Sequence, residues 1–254
     1  MTATPASRSS TDPAADPAAA PGLLDRLRER VRRIEGLPPG PGGDVAALGL
    51  DAIDAALPWG GLPRGVLHEI VALERGAATG FVALALARLA GDGPLLWCLG
   101  RDDLYAPGLA AFGLDPGALV LARAADGAGV LWAMEEGLRS GAFAAVAGEV
   151  GALSLDGARR LQLAARAGAA LVLRPASAAH GPSPAVTRWQ VGPAPSAPAE
   201  PGVGAARWRV ALARCRGGQP RDWIVEWDDA SLRGRVVADL ADRSGAAPAR
   251  PIEA

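Results

Sequence analysis

The feature that most limits how this chain can fold is a repeated alternation of short apolar runs with helix-length segments. Residues 66–73 (Val66-Leu67-His68-Glu69-Ile70-Val71-Ala72-Leu73) read as a strand, 74–79 as a loop and 80–89 as a helix. Strand 95–99 precedes helix 104–112, strand 119–122 precedes helix 130–139, strand 142–147 precedes helix 155–167, and 169–173 is a fifth strand. Runs of this kind suit strands buried on both faces. Alternating them with helices calls for an α/β fold with a mostly parallel sheet and helices on both faces. The pattern then changes. Residues 175–184 and 192–204 are Pro-rich loops around a further strand at 185–191, and 207–213, 222–227 and 234–238 are strand-like. Within 207–213, Trp208, Val210 and Leu212 alternate with Arg207, Arg209 and Ala211. That period of two predicts a C-terminal antiparallel extension of the same sheet.

The ends are of a different character. Residues 1–21 and 242–254 are tails of disordered composition. Residues 22–36 form an amphipathic helix. Leu24, Leu27, Val31 and Ile34 share one side, charges fill the other, and Gly36 suits the C-terminal cap. Residues 37–47, rich in Pro and Gly, are a linker, and 48–241 are the core domain. The helix has two places to dock, its own core or a partner.

Composition removes whole classes of chemistry. Lys+Arg number 26 and Asp+Glu 27, so no global field draws the chain to nucleic acid or anionic lipid. Mean hydropathy is only +0.16, and no uncharged run is long enough to cross a bilayer. No apolar stretch follows the start within signal-peptide reach, so the chain reads as cytoplasmic. Cys98 and Cys215 stand alone, and His68 and His180 are the only histidines. A disulfide framework and a Cys- or His-built metal site are therefore not expected. Every basic residue is arginine, because the chain contains no lysine, and it contains no asparagine either. No lysine can meet a phosphate, form a Schiff base or act as a base.

Ligands of α/β sheets bind at the carboxyl ends of the strands. The first strand-loop-helix unit holds Gly76 and Gly80, but Phe81 and Val82 stand where a phosphate loop places Lys and Ser/Thr. The position suits a nucleotide and the chemistry does not. The fourth strand ends on Gly148-Glu149, where a magnesium-ordering acid is needed; Glu149 reads as a partial substitute or as a plain strand-end carboxylate.

The order of elements resembles the core of the bacterial recombinase RecA. The segment from Asp102 to Asp115 is similar to the stretch after RecA's second core strand, where an aspartate and a tyrosine flank adenine; Asp102 and Tyr105 match them by spacing. The resemblance thus implies a remnant nucleotide pocket of Asp102, Tyr105 and Glu149, although Asp102 or Asp103 capping the next helix is an equal reading. Residues 155–175 resemble the elements leading into RecA's second DNA-binding loop. Arg214-Cys215-Arg216-Gly217-Gly218 is similar to the stretch with which RecA reaches a neighbouring protomer's ATP.

Four segments resemble the ImuA family more closely: 62–69, 95–104, 147–149, and Arg214-x-Arg216-Gly217-Gly218 followed by 223–228. That resemblance implies a non-catalytic RecA-like accessory protein of damage-inducible translesion synthesis, without a cofactor. Its implied partners are RecA, an ImuB pseudo-polymerase and, through ImuB, an error-prone C-family polymerase. DNA contact is then indirect or weak, since the reduced loop 176–185 offers no aromatic ring and only His180 as a donor. The implied contact residues are Leu24, Leu27, Val31 and Ile34, or Arg214 and Arg216. Two other readings stay open, a divergent RecA-like ATPase using Arg75 or a trans-acting Arg in place of lysine, and a SulA-type cell-division inhibitor.

Among the remaining residues, Trp97, Trp132 and Phe143 read as core. At least half of Trp189, Trp208, Trp223 and Trp227 read as core, while a Trp/Arg-rich face with Arg207, Arg209, Arg214 and Arg216 also has the composition of a protein interface. His68 reads as a hydrogen-bonded buried residue, and Arg159-Arg160 as a solvated helix face.

Overall fold

The computed structural model describes residue 27 and residues 44–179, 181–196 and 204–240. Its strands are β1 (Val45–Ala46), β2 (Leu62–Pro63), β3 (Leu67–Ala72), β4 (Leu95–Leu99), β5 (Leu119–Arg123), β6 (Ala145–Glu149), β7 (Ala169–Pro175), β8 (Thr187–Pro193), β9 (Ala206–Cys215), β10 (Arg221–Asp228) and β11 (Arg233–Asp239). The helices are α1 (Asp51–Ala56), α2 (Arg75–Ala90), α3 (Gly127–Ser140) and α4 (Leu155–Ala164), with a 3₁₀ helix at Ala106–Phe112. Nine strands form one sheet in the order β11-β10-β9-β8-β3-β7-β6-β4-β5. Pairings from β8 to β5 are parallel, and those from β8 to β11 antiparallel. The expected α/β architecture and antiparallel extension are both present.

Helix α2 explains the larger of the two cores. Between Arg75 and Arg88 it carries no charge, and Phe81, Val82, Leu84, Leu86 and Leu89 are all buried. A helix apolar on every side must be enclosed. One side of it packs against the central strands. Leu48, Leu50, Ile53, Leu109 and Leu114 join it in the same cluster, as do Trp189, Trp208, Trp223 and Trp227. On the other sheet face, Val130, Met134 and Leu138 of α3 and Ala158 and Leu161 of α4 close a second core with Leu96, Val146 and Val172.

Several expectations require correction. Residues 74–79 are not a loop, because α2 starts at Arg75. Glu74 caps it, accepting from the N–H groups of Gly76 (2.9 Å) and Ala77 (3.0 Å). Gly80 is helical, as read, and its lack of a side chain serves packing. A Cβ there would lie 2.9 Å from Phe112 Cζ and 3.1 Å from Trp208 Cζ2. The helix read at 104–112 is a shorter 3₁₀ helix without a side-chain cap, so neither Asp102 nor Asp103 caps it. Val45–Ala46, within the stretch read as linker, pairs with β2.

Trp132 is not core; it is 66% exposed on α3. All four tryptophans of β8–β10 are buried, so they offer no interface surface. Their arginine neighbours face outward and pair across strands: Arg207 with Glu226 (2.5 Å), and Arg209 with Asp222. Trp97 is buried and Phe143 half-buried, as expected. Arg159 and Arg160 are exposed, Arg159 near Asp156 (3.6 Å) and Arg160 near Glu135 (3.7 Å).

Candidate functional site

Strand β3 lies between β8 and β7, yet the next strand in the chain, β4, lies beyond β7 and β6. The chain therefore leaves two separated strands at the same, carboxyl-terminal end of the sheet, a topological switch point. This is the position at which α/β sheets bind ligands. The residues that reach it come from the start of α2 (Glu74, Arg75), the segment after β4 (Arg101, Asp102, Asp103, Tyr105) and the ends of β5 (Arg123) and β6 (Glu149).

Only two residues, Leu73 and Glu74, separate β3 from α2. There is no arch of backbone amides of the kind that cradles a phosphate. The first free N–H groups of α2 already face the Glu74 carboxylate, which they hold below the usual carboxylate range. Gly76, Gly80, Phe81 and Val82 are all within α2. Phe81 is 1% exposed, with its ring 5.5 Å from that of Trp189. It faces the core, not the switch point.

Arg75 lies across the switch point. Its guanidinium donates to both oxygens of Asp103, at 2.7 Å to Oδ1, and to Glu149 Oε2 at 2.5 Å. The Arg75 bond, first among the causes, holds the Asp103 carboxyl below its ordinary value, and the same pairing raises the Arg75 pKa. Asp103 also meets Arg101 Nε at 3.2 Å, and Asp102 meets Arg123 Nη2 at 2.6 Å. Glu149 Oε1 is buried without a hydrogen-bond partner. Tyr105 is 74% exposed and joins none of these contacts. Of the expected remnant pocket, Glu149 is thus brought against Arg75, Asp102 is turned to Arg123, and Tyr105 stands in solvent. Among the described residues, no three His, Cys, Asp or Glu side chains are grouped to hold a metal ion.

Arg214 on β9 donates through Nη1 to the Ser183 carbonyl (2.6 Å), and the Arg216 N–H donates to Val186 O (2.9 Å). Leu27 is helical and about half exposed. Leu24, Val31 and Ile34 lie outside the described residues, as does His180. His68 is buried and hydrogen-bonded, as read from the sequence. Its Nε2–H donates to Pro63 O (2.9 Å), and its Nδ1 accepts from the Thr187 hydroxyl (2.7 Å), which in turn accepts from Trp189 Nε1. Burial lowers its pKa to about 4.

Sequence reasoning missed one polar centre altogether. Glu69, in the middle of β3, is fully buried and accepts from Arg174 Nη1 (2.6 Å) and Arg188 Nε (2.9 Å). These two arginines and Arg214 also hold the segment after β7, donating to the carbonyls of Ala178, Gly181 (3.1 Å) and Ser183. The visible signal was a carboxylate inside an apolar strand, which must find cations.

No protein-family model matches the chain. It is 38% identical over 226 residues to Protein ImuA of Caulobacter vibrioides, in each of two strains. The alignment covers 80% of this chain and 93% of that protein. In fold it is similar to the crystal structure of the RadB recombinase. The TM-score is 0.57 at 14% identity, over 76% of this chain and all of that one. The architecture is RecA-like.

Proposed function

The chain belongs to the ImuA family, and on that premise we propose that it is a non-catalytic RecA-like accessory protein of damage-induced mutagenesis. In this reading it recruits or bridges RecA, an ImuB pseudo-polymerase and, through ImuB, an error-prone C-family polymerase in translesion synthesis at the nucleoid. It touches DNA weakly or only through its partners.

One observation carries the non-catalytic part: the α2 N-terminus is occupied by the chain's own Glu74 carboxylate. A triphosphate entering there would meet a like charge, find no lysine, and compete with Asp103 and Glu149 for Arg75. An ATPase relying on Arg75 needs that guanidinium free to fork onto a phosphate, and its fork is already used. The SulA-type alternative gains nothing from this geometry, since β9–β11 extend the sheet.

The partner reading draws on Leu27, helical and half exposed, in an amphipathic segment whose apolar side suits a partner as well as the chain's own core. Two experiments test the proposal. Titration of ATP and magnesium should release no binding heat, and a Kd of about 1 μM with turnover would replace the reading with an ATPase. Pull-down of RecA and ImuB should weaken for Leu27→Asp with Val31→Asp. Unchanged capture of both would remove the helix from the interface.

A further inference from the structure

We propose that Arg75 is a built-in substitute for a bound ligand, fixing the segment after β4 in one position whether or not nucleotide is present. The inference rests on the reading that the switch point holds no nucleotide, and adds what ties it together instead.

At this switch point nothing in the sheet itself joins the end of β3 to the end of β4, because β7 and β6 intervene. Residues 100–105 belong to no helix or strand. They are nevertheless tied at two successive carboxylates. Asp103 is gripped through both oxygens by Arg75, which belongs to α2, and Asp102 is held by Arg123 at the end of β5. Arg75 also holds Glu149 at the end of β6. A single guanidinium thus joins the start of α2, the segment after β4 and the end of β6, and its planar fork suits that task better than an ammonium would.

The charges close on themselves. Arg75, Arg101 and Arg123 face Asp102, Asp103 and Glu149, three against three, while Glu74 is spent on the α2 amides. The cluster carries no surplus positive charge to draw in a phosphate.

What the fixed segment positions is visible downstream. The 3₁₀ helix 106–112 follows at once, with its Gly108 and Gly113 N–H groups donating to Tyr105 and Ala110. The Ala111 carbonyl accepts from Trp227 Nε1 (2.7 Å), and Phe112 packs on Trp208 at 5.5 Å. The switch point is thereby connected to the antiparallel extension through packed side chains.

The test is amide hydrogen exchange across residues 106–114, in the full chain without nucleotide. Arg75→Met should speed exchange there by about tenfold or more, while β7–β10 stay as in the wild type. Arg75→Lys, which keeps the charge and loses the fork, should fall between. Wild-type exchange should not change when ATP and magnesium are added. Wild-type rates in Arg75→Met would overturn the lock and leave the non-catalytic reading intact. Should Arg75→Met fail to fold, Asp103→Asn removes the same grip with the α2 start unaltered; wild-type rates in that variant would equally overturn it. Calorimetric ATP binding by the wild type would instead overturn the non-catalytic reading, with the nucleotide-free variants still deciding the lock.

Discussion

Glu69→Ala should be among the most destabilising single substitutions in this protein. The carboxylate is fully buried, and the arginines it holds are 5% (Arg174) and 17% (Arg188) exposed. Removing it leaves one guanidinium almost wholly out of water with no counter-charge, and Arg174 Nε already lacks a partner. Breaking a buried pair from one side costs about 3–5 kcal/mol, because the remaining charge keeps its desolvation penalty. At roughly 2–4 °C per kcal/mol for a domain of this size, Tm should fall by roughly 6–20 °C. Urea denaturation gives the same quantity as a shift of midpoint at unchanged slope. The loss should persist in 1 M NaCl (a Debye length of about 3 Å), because salt screens exposed charges and barely reaches buried ones. Replacing all three residues together with Leu and Met should recover much of the stability, since an apolar cluster needs no counter-charge. A loss under about 1 kcal/mol, or one that vanishes in salt, would refute the reasoning.

Three further outcomes are expected. His68 has its pKa lowered to about 4 from 6.5. The unfolded chain therefore takes up that proton first, and the His68 contribution is complete above pH 6.5 and is lost as pH falls toward 4. The loss totals about 3 kcal/mol, and an imidazole titrating near 6.5 by NMR would contradict it. Phe81→Lys should not create ATP binding. It should destabilise by about 3 kcal/mol or more, as urea melts would show, because the side chain points at Trp189 in the core. Trp97→Ala should cost about 3–5 kcal/mol while Trp132→Ala stays within about 0.5 kcal/mol, and equal losses in thermal melts would reverse their assignment to core and surface.

How legible each feature was depended on whether its cause is local. Strand positions were legible because a buried strand must be apolar along its length, as 95–99 and 169–173 are. The exposure of Trp132 was also legible, and was misread. Val130, Met134 and Leu138 mark the buried stripe of α3, and a residue two places from the first two lies about 200° away around the helix. The start of α2 was harder. Gly76 looked like a loop glycine and Gly80 like the last glycine of a degenerate phosphate loop, and what makes Gly80 small is the approach of Phe112 and Trp208 from distant parts of the chain.

By itself the sequence determined the alternation that builds the sheet, and it removed any lysine from the chemistry of the molecule. Both follow from residue type alone: apolar strands must be covered, and an absent ammonium cannot be supplied by folding. The rest was decided only in three dimensions. Arg75, Asp103 and Glu149 are far apart in the chain and meet because β3 and β4 leave the same end of the sheet at separated positions. Glu69 is an isolated carboxylate in the sequence until β7 and β8 flank β3 and place arginines on it. Ion pairing depends on distance in space, and strand order, not spacing along the chain, sets that distance.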